Sequence, residues 1–536
     1  MFKLAEKGTI DMRDGLVQET IACADRGDLP ALRELLRQDP ELAGSSWGYV
    51  TPLHFAVRSG HMDAVQLLLE HGADATEKML GWQDDLVTKA QDRGYAALAD
   101  LLARHLAERY RTSPEGSSLA ELIKSRRKEA VLRELDASEE RVHESDERGN
   151  TPMHWAVMTR QMWLIDALLE RGADIGAKRA DGATPLLLAL DGDYFYRANR
   201  DLSPEVLRNP WFLVGYLIAR GAEYDIWTAA ALGDTEQVAD LLDAEPSLVN
   251  AAGATGKRPI GYAAKHGHTV TVRLLLERGA DPNAEERGAT HGSALWSAVK
   301  DNHEAIVKLL LEHGANPNAG VEAGGSPLFI GMRNRHDALV NLLYAHGATV
   351  QIDSACCLGR IDLVGEMIHA RPELMNNGGD FGPLCMAAGY GHMELVKLLI
   401  RSGADLNEPW YCNNFMGYAT DAGMDMVRLL LESGANPNLA NWLGVTYLHQ
   451  AAWSGQVAYA QLLLEFGANI HAVDKEYETT PLGWAAKFGQ LEMVRFLLEQ
   501  GADPYPAHVE SWTQPLTWAK RKGHEDIAAL LLGSTK

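Results

Sequence analysis

The chain has 536 residues, more than one compact apolar core usually holds, so several domains or a repeat array is expected. Its 46% hydrophobic and 23% charged residues describe an ordered protein, and a net charge of −23 argues against a general nucleic-acid or anionic-membrane binder, which needs a basic footprint. Cys23, Cys356, Cys357, Cys385 and Cys412 show no zinc-finger spacing, the first twenty residues lack a signal core, and no apolar run nears a bilayer span, so a cytoplasmic protein is expected.

Along the chain, one pattern recurs. It starts with a short form ending on proline, IACADRGDLPALRELLRQDPELA (21–43), followed by TPLHFA (51–56), the turn Gly60-His61 and a leucine run closed by Gly72. Residues 119–142 repeat the short form without its proline. TPMHWA (151–156) then leads to Gly172, and TPLLLA (184–189) to Gly221. Within that last repeat, DYFYRANRDLSPEVLR (193–208) exceeds the usual turn, and reads as a rim over the binding face or as a loop packed on its own scaffold. A third short form (226–250) precedes repeats closed by Gly279, Gly314 and Gly347, at steps of 35 and 33 residues. A fourth (354–376) precedes repeats closed by Gly403, Gly434, Gly467 and Gly501, at steps of 31, 33 and 34.

Elementary chemistry accounts for each part. A threonine hydroxyl caps a helix whose first position suits proline. Stripes such as VRLLLE (272–277) and VKLLLE (307–312) have apolar residues at helical spacing, and the glycine after them accepts the left-handed conformation of a C-terminal cap. One helix pair leaves much of its apolar surface wet, so neighbours must stack to complete the core.

These motifs resemble the ankyrin repeat, with its period near 33 residues and its T-P-L-H-x-A opening. The resemblance implies an all-α solenoid of about sixteen helix-turn-helix repeats with short β-turn fingers. The four short forms suggest blocks at 1–110, 111–223 (holding the insertion), 224–349 and 350–536, in one continuous array. His54, His154 and His449 match the TPLH histidine, and His61, His268, His303, His336, His392 and His524 the turn histidine. Hydrogen bonding between repeats is their expected role. Successive equivalent positions do not converge as metal ligands, and no metal or cofactor is expected.

In similar proteins, partners meet the finger tips and the ends of the first helices. Carried over by position, these are Trp410, Tyr411, Trp442, Leu443, Tyr477, Glu478 and Trp512 in the fingers. At the helix ends they are Gly389, Tyr390, Asp421, Trp453, Lys487 and Phe488. Aromatic rings suit apolar side chains of a protein or peptide, or the faces of a sugar. Single rings can equally pack between fingers. Lys265, Lys300, Arg333 and Lys487 share one helix-end position and read either as solvated surface charges or as contacts for an acidic peptide, a phosphate or a carboxylate. Asp380, Glu408, Asp421, Asp474, Glu476 and Glu478 lie near the same face, where two acids flanking a sugar are the pattern of glycoside chemistry. No P-loop, nucleophile elbow or HExxH motif occurs, so no catalytic residue is assigned. A scaffold holding a protein or peptide partner, without nucleic acid or membrane, is the leading expectation. A carbohydrate or small-molecule protein, hydrolytic through carboxylates if catalytic, is the alternative.

Overall fold

The computed structural model describes residues 12–533 except 48–49, 77–83, 147, 180–181, 192–210, 254–255, 287–288, 290, 322–324, 377–381 and 408–414. The insertion 193–208 lies outside the described residues. Two compact units are present, Met1–Thr349 and Val350–Lys536. The described residues contain sixteen helix pairs, ten in the first unit and six in the second. Among the described residues, extended backbone pairs only as isolated bridges in the fingers, such as Trp47 with Val50 and Ala440 with Thr446.

A typical pair joins a seven-residue helix to a nine-residue one, as in Pro481–Lys487 and Leu491–Glu499. Helices this short are marginal alone, so their ends must be satisfied locally and their faces by neighbours. Thr51 Oγ1 accepts from the backbone of His54 at 3.2 Å, and Ser326 and Asp225 cap their helices in the same way. At the far end, Gly279 has φ +90 and lets Ala280 N–H return to Leu275 O at 2.9 Å, closing the second helix. Val272 and Leu275 of that helix are fully buried. Complete burial of one such side chain contributes roughly 1.5–3 kcal/mol.

The short forms differ at one place. Their second helix runs ten residues and continues into a 3-10 turn, as in Leu29–Gln38 followed by Pro40–Gly44. Thr235–Ala244 with Pro246–Asn250 repeats this, as does Ile361–Ala370 with Pro372–Asn376. Lys128–Ala137 takes the same course into Glu139–Val142 without proline. There Ser138 Oγ accepts from Glu140 N–H at 3.3 Å, as Asp39 does from Glu41 at 3.0 Å.

Three sets of side chains tie each repeat to the next. The turn histidines donate from Nε2 to a carbonyl at the end of the preceding first helix: His61 to Asp25 (3.0 Å), His268 to Ala231 (2.8 Å), His392 to Cys357 (2.9 Å) and His524 to Lys487 (3.2 Å). Gln161 and Gln490 do this with their amides, to Ile123 (2.8 Å) and Trp453 (2.9 Å).

The TPLH histidines form the second set. His449 Nδ1 accepts from Thr446 N–H at 3.2 Å, and its Nε2 donates to Thr479 O of the next finger at 3.2 Å. His154 repeats this with Thr151 and Ala183, whereas His54 Nε2 faces the buried Lys89 ammonium at 2.9 Å. The third set is an asparagine ladder that the sequence reading missed, although its signal is the G-A-N-P-N string. Asn438 Nδ2 donates to Gly467 O at 2.9 Å, and its Oδ1 accepts from Asn469 N–H at 2.6 Å. Asn407, Asn318, Asn283 and Asn250 make the same two bonds in their own repeats. Salt bridges between neighbouring second helices, such as Arg278–Asp243 at 2.6 Å, lie at the surface and add about 0–1 kcal/mol each.

Two outcomes follow. Asn438→Ala removes both rungs and lowers stability in urea unfolding by about 1–2 kcal/mol, while Asn438→Asp, which keeps the acceptor, loses less. Burial depresses the pKa of His449 to about 4, against hydrogen bonds to the backbone at Thr479 and Ala472 that raise it. The native state therefore binds fewer protons than the unfolded chain between that value and about 6.5. The stabilisation from neutral His449 is complete above pH 6.5 and is lost as pH falls towards 4. The stability advantage of the parent chain over His449→Gln narrows across that window; an advantage independent of pH refutes the assignment.

Candidate binding face of the fingers and first-helix ends

Each finger is a tight loop ordered by one side chain. Asn441 Oδ1 accepts from the N–H groups of Leu443 and Val445, both at 3.0 Å. Asp146 does the same for Arg148 and Asn150, both at 2.9 Å, and also receives the indole of Trp155 at 2.8 Å. Asp474 accepts from Glu476 (2.7 Å), Tyr477 (2.6 Å) and Thr479 (3.2 Å), and from the Trp484 indole at 2.9 Å. This finger has one residue more between its acid and its threonine cap than the 441 finger, and Glu478 takes a left-handed φ of +52 there. Burial pushes the Asp474 carboxyl up to about 6, opposed by the hydrogen bonds from Trp484, Tyr477 and Thr479 and aided by the nearby Glu476 carboxylate. Its oxygens are occupied by the finger itself, so Asp474 holds a loop in shape.

Tyr477 stands three residues before its threonine cap, as the buried Leu443 does in the 441 finger, and it too is turned inward. Tyr477 is 1% exposed, with ring centroids 5.2 Å from Trp484, 5.7 Å from Trp518 and 6.2 Å from Phe488, all edge to face. Lys487, 3% exposed, sets its ammonium 4.4 Å from the Tyr477 ring centre, 4.5 Å from Trp518 and 5.3 Å from Phe488. A cation against ring faces is attracted by their quadrupoles, most strongly where water is excluded. Tyr477 and Lys487, expected at the surface, are thus part of the packing beneath it. Glu476 is buried as well.

Around this cluster lie half-exposed rings. Phe488 meets Trp453 at 6.5 Å and Trp484 at 5.8 Å, and Trp512 stands 6.0 Å from Trp518. Trp453, Phe488 and Trp512 are therefore brought together through buried neighbours. Trp442 is half-buried in its finger and Leu443 is buried. Tyr390 is 45% exposed and stacks on His392 with centroids 6.5 Å apart, and Asp421 and Glu478 are exposed. Trp410, Tyr411, Asp380, Glu408 and Cys412 lie outside the described residues. Trp484 and Trp518, which back the cluster, were not singled out from sequence. They occupy the position of Phe55 in TPLHFA, which is buried in Trp155 and Tyr262 as well but only half-buried in Met386, Tyr418 and Gln450.

In the first unit, Lys265 is half-buried, while Lys300 and Arg333 are exposed. Cys23, Cys356, Cys357 and Cys385 are buried, and burial drives the Cys356 thiol far above its ordinary range. Among the described residues, no cluster of three or more His, Cys, Asp or Glu side chains is placed to hold a metal, and no helix is long and apolar enough to cross a membrane.

Comparison with known proteins bears on this arrangement. The family described as "Ankyrin repeats (3 copies)" matches residues 20–112, 226–320, 280–354, 352–441, 384–474 and 448–536, and "Ankyrin repeat" matches 148–177. The protein "Ankyrin repeat and KH domain-containing protein mask-1" of Caenorhabditis elegans is 29% identical over 338 residues, 60% of this chain and 11% of its own length. Ankyrin repeat and SOCS box protein 16 of Homo sapiens is 37% identical over 105 residues, 19% of this chain and 23% of its own. Palmitoyltransferase ZDHHC13 of Mus musculus is 30% identical over 144 residues, 26% of this chain and 23% of its own. The chain thus spans less than a quarter of the length of each of these relatives. The family matches, running through nearly all the helix pairs, establish that the chain belongs to the ankyrin-repeat family.

Proposed function

We propose that the chain is a binding scaffold that holds a protein or peptide partner against the fingers and first-helix ends of residues 350–536. One observation carries this reading: Trp453, Phe488 and Trp512 present half-exposed rings that are fixed from behind by Trp484, Trp518, Tyr477 and Lys487. Rings held in place lose little freedom on binding, which favours their use as anchors. Tyr390, Trp442 and Asp421 extend the same face, and Trp410 and Tyr411 belong to it by sequence position. A carbohydrate or small-molecule site with a pair of catalytic acids gains less support. Asp474 is buried and bonded within its finger, and Asp421 is exposed to water.

The test is a displayed peptide library selected against the full chain, with the selected peptides then measured against Trp442→Ala/Trp453→Ala. Loss of two central anchors weakens binding about thirtyfold or more, since a single tryptophan hot spot is typically worth about 2 kcal/mol or more. Thermal unfolding of the variant, followed in parallel, shows whether the scaffold persists. Undiminished affinity with an intact fold removes this surface from consideration.

A further inference from the structure

Three consecutive first helices of the unit 1–349 end on a cation: Pro259–Lys265, Ala294–Lys300 and Pro327–Arg333. The carbonyls of Lys265 and Lys300 accept from His303 and His336 of the following repeats, both at 3.3 Å, and Asn334 Nδ2 adds a bond to Lys300 O at 3.2 Å. The first two helix ends are thereby pinned to their neighbours, so the three residues follow one another repeat by repeat along one edge, with the Lys300 ammonium 5.2 Å from the Trp296 ring centre. Packed helices stand about 8–10 Å apart, which sets the step between the helix ends that carry these residues. Asp301, next to Lys300, is an acid on the same edge. In a protein of net charge −23, a row of cations is a local reversal of sign.

The step selects a conformation as well as a charge. A polyproline II peptide rises about 3.1 Å per residue with three residues per turn, so its positions i, i+3 and i+6 share one face at intervals of roughly 9 Å. A β-strand offers no such match, because its i and i+3 side chains point to opposite faces. We propose that the edge marked by Lys265, Lys300 and Arg333 binds an acidic, proline-rich peptide in the polyproline II form, with one carboxylate at every third residue for each cation. This edge lies in the other unit from the aromatic face, and the proposal stands independently of that face.

Fluorescence anisotropy with the full chain tests it, using labelled Glu-Pro-Pro-Glu-Pro-Pro-Glu and its isomer Glu-Glu-Glu-Pro-Pro-Pro-Pro. The in-register peptide is expected to bind about fivefold or more tightly than the isomer, with an affinity that falls as salt is raised. Lys300→Glu weakens it roughly tenfold, and Lys300→Arg leaves it within about twofold. Circular dichroism of both variants reports that the helices are retained. Equal binding of the two peptides, an unaltered affinity for Lys300→Glu/Arg333→Glu, or displacement by a poly-dT strand as readily as by the in-register peptide would each overturn the proposal.

Discussion

The carbonyl at the end of the first helix is the point on which eight junctions among the described residues turn. A helix of two turns leaves its last carbonyls without partners inside the helix, and burying them unpaired would cost more than the short helix gains. Here the next repeat supplies the donor, through a histidine at 61, 268, 303, 336, 392 or 524 and through glutamine at 161 or 490. The bond requires the neighbour to be stacked in register, and stacking in register is also what buries the leucine stripes. Polar satisfaction and apolar burial therefore impose the same geometry. Because each repeat meets only adjacent ones, the energetics are those of a chain of nearest neighbours.

Much of this was legible in the residues. Thr-Pro before a small apolar helix, a turn histidine, a leucine stripe and a closing glycine each have a local cause, and their phase located the helix pairs. The segment 119–142 was legible despite its missing proline, because Ser138 can cap a 3-10 turn as Asp39 does. The asparagine ladder was equally present as a string of letters, but its meaning depends on the following repeat's glycine carbonyl lying within reach.

The binding face was less legible, for a definable reason. Lys265, Lys300, Arg333 and Lys487 are interchangeable when aligned by repeat, yet Lys487 is buried and the others are not. Its burial depends on Trp518 in the next repeat and on Tyr477, turned inward in its finger. In sequence Tyr477 reads as a tip residue, whereas counted back from the threonine cap it matches Leu443, which is buried as well. Tryptophans 484 and 518 were passed over because they fill a core position, although they determine where Phe488 and Trp512 stand.

The finger at 474–480 also joins two ionisable groups in one hydrogen-bonded chain. His449 donates to Thr479 O, and Thr479 N–H donates to Asp474. The imidazole resists taking up a proton down to about pH 4, whereas the carboxyl retains one up to about pH 6. Relative to the unfolded chain, the first group is short of a proton and the second holds an excess over nearly the same interval. Their slopes have opposite signs, so mild acidification leaves this junction between two repeats close to energetically level, with the acid sensitivity of one residue masked by that of its partner two bonds away.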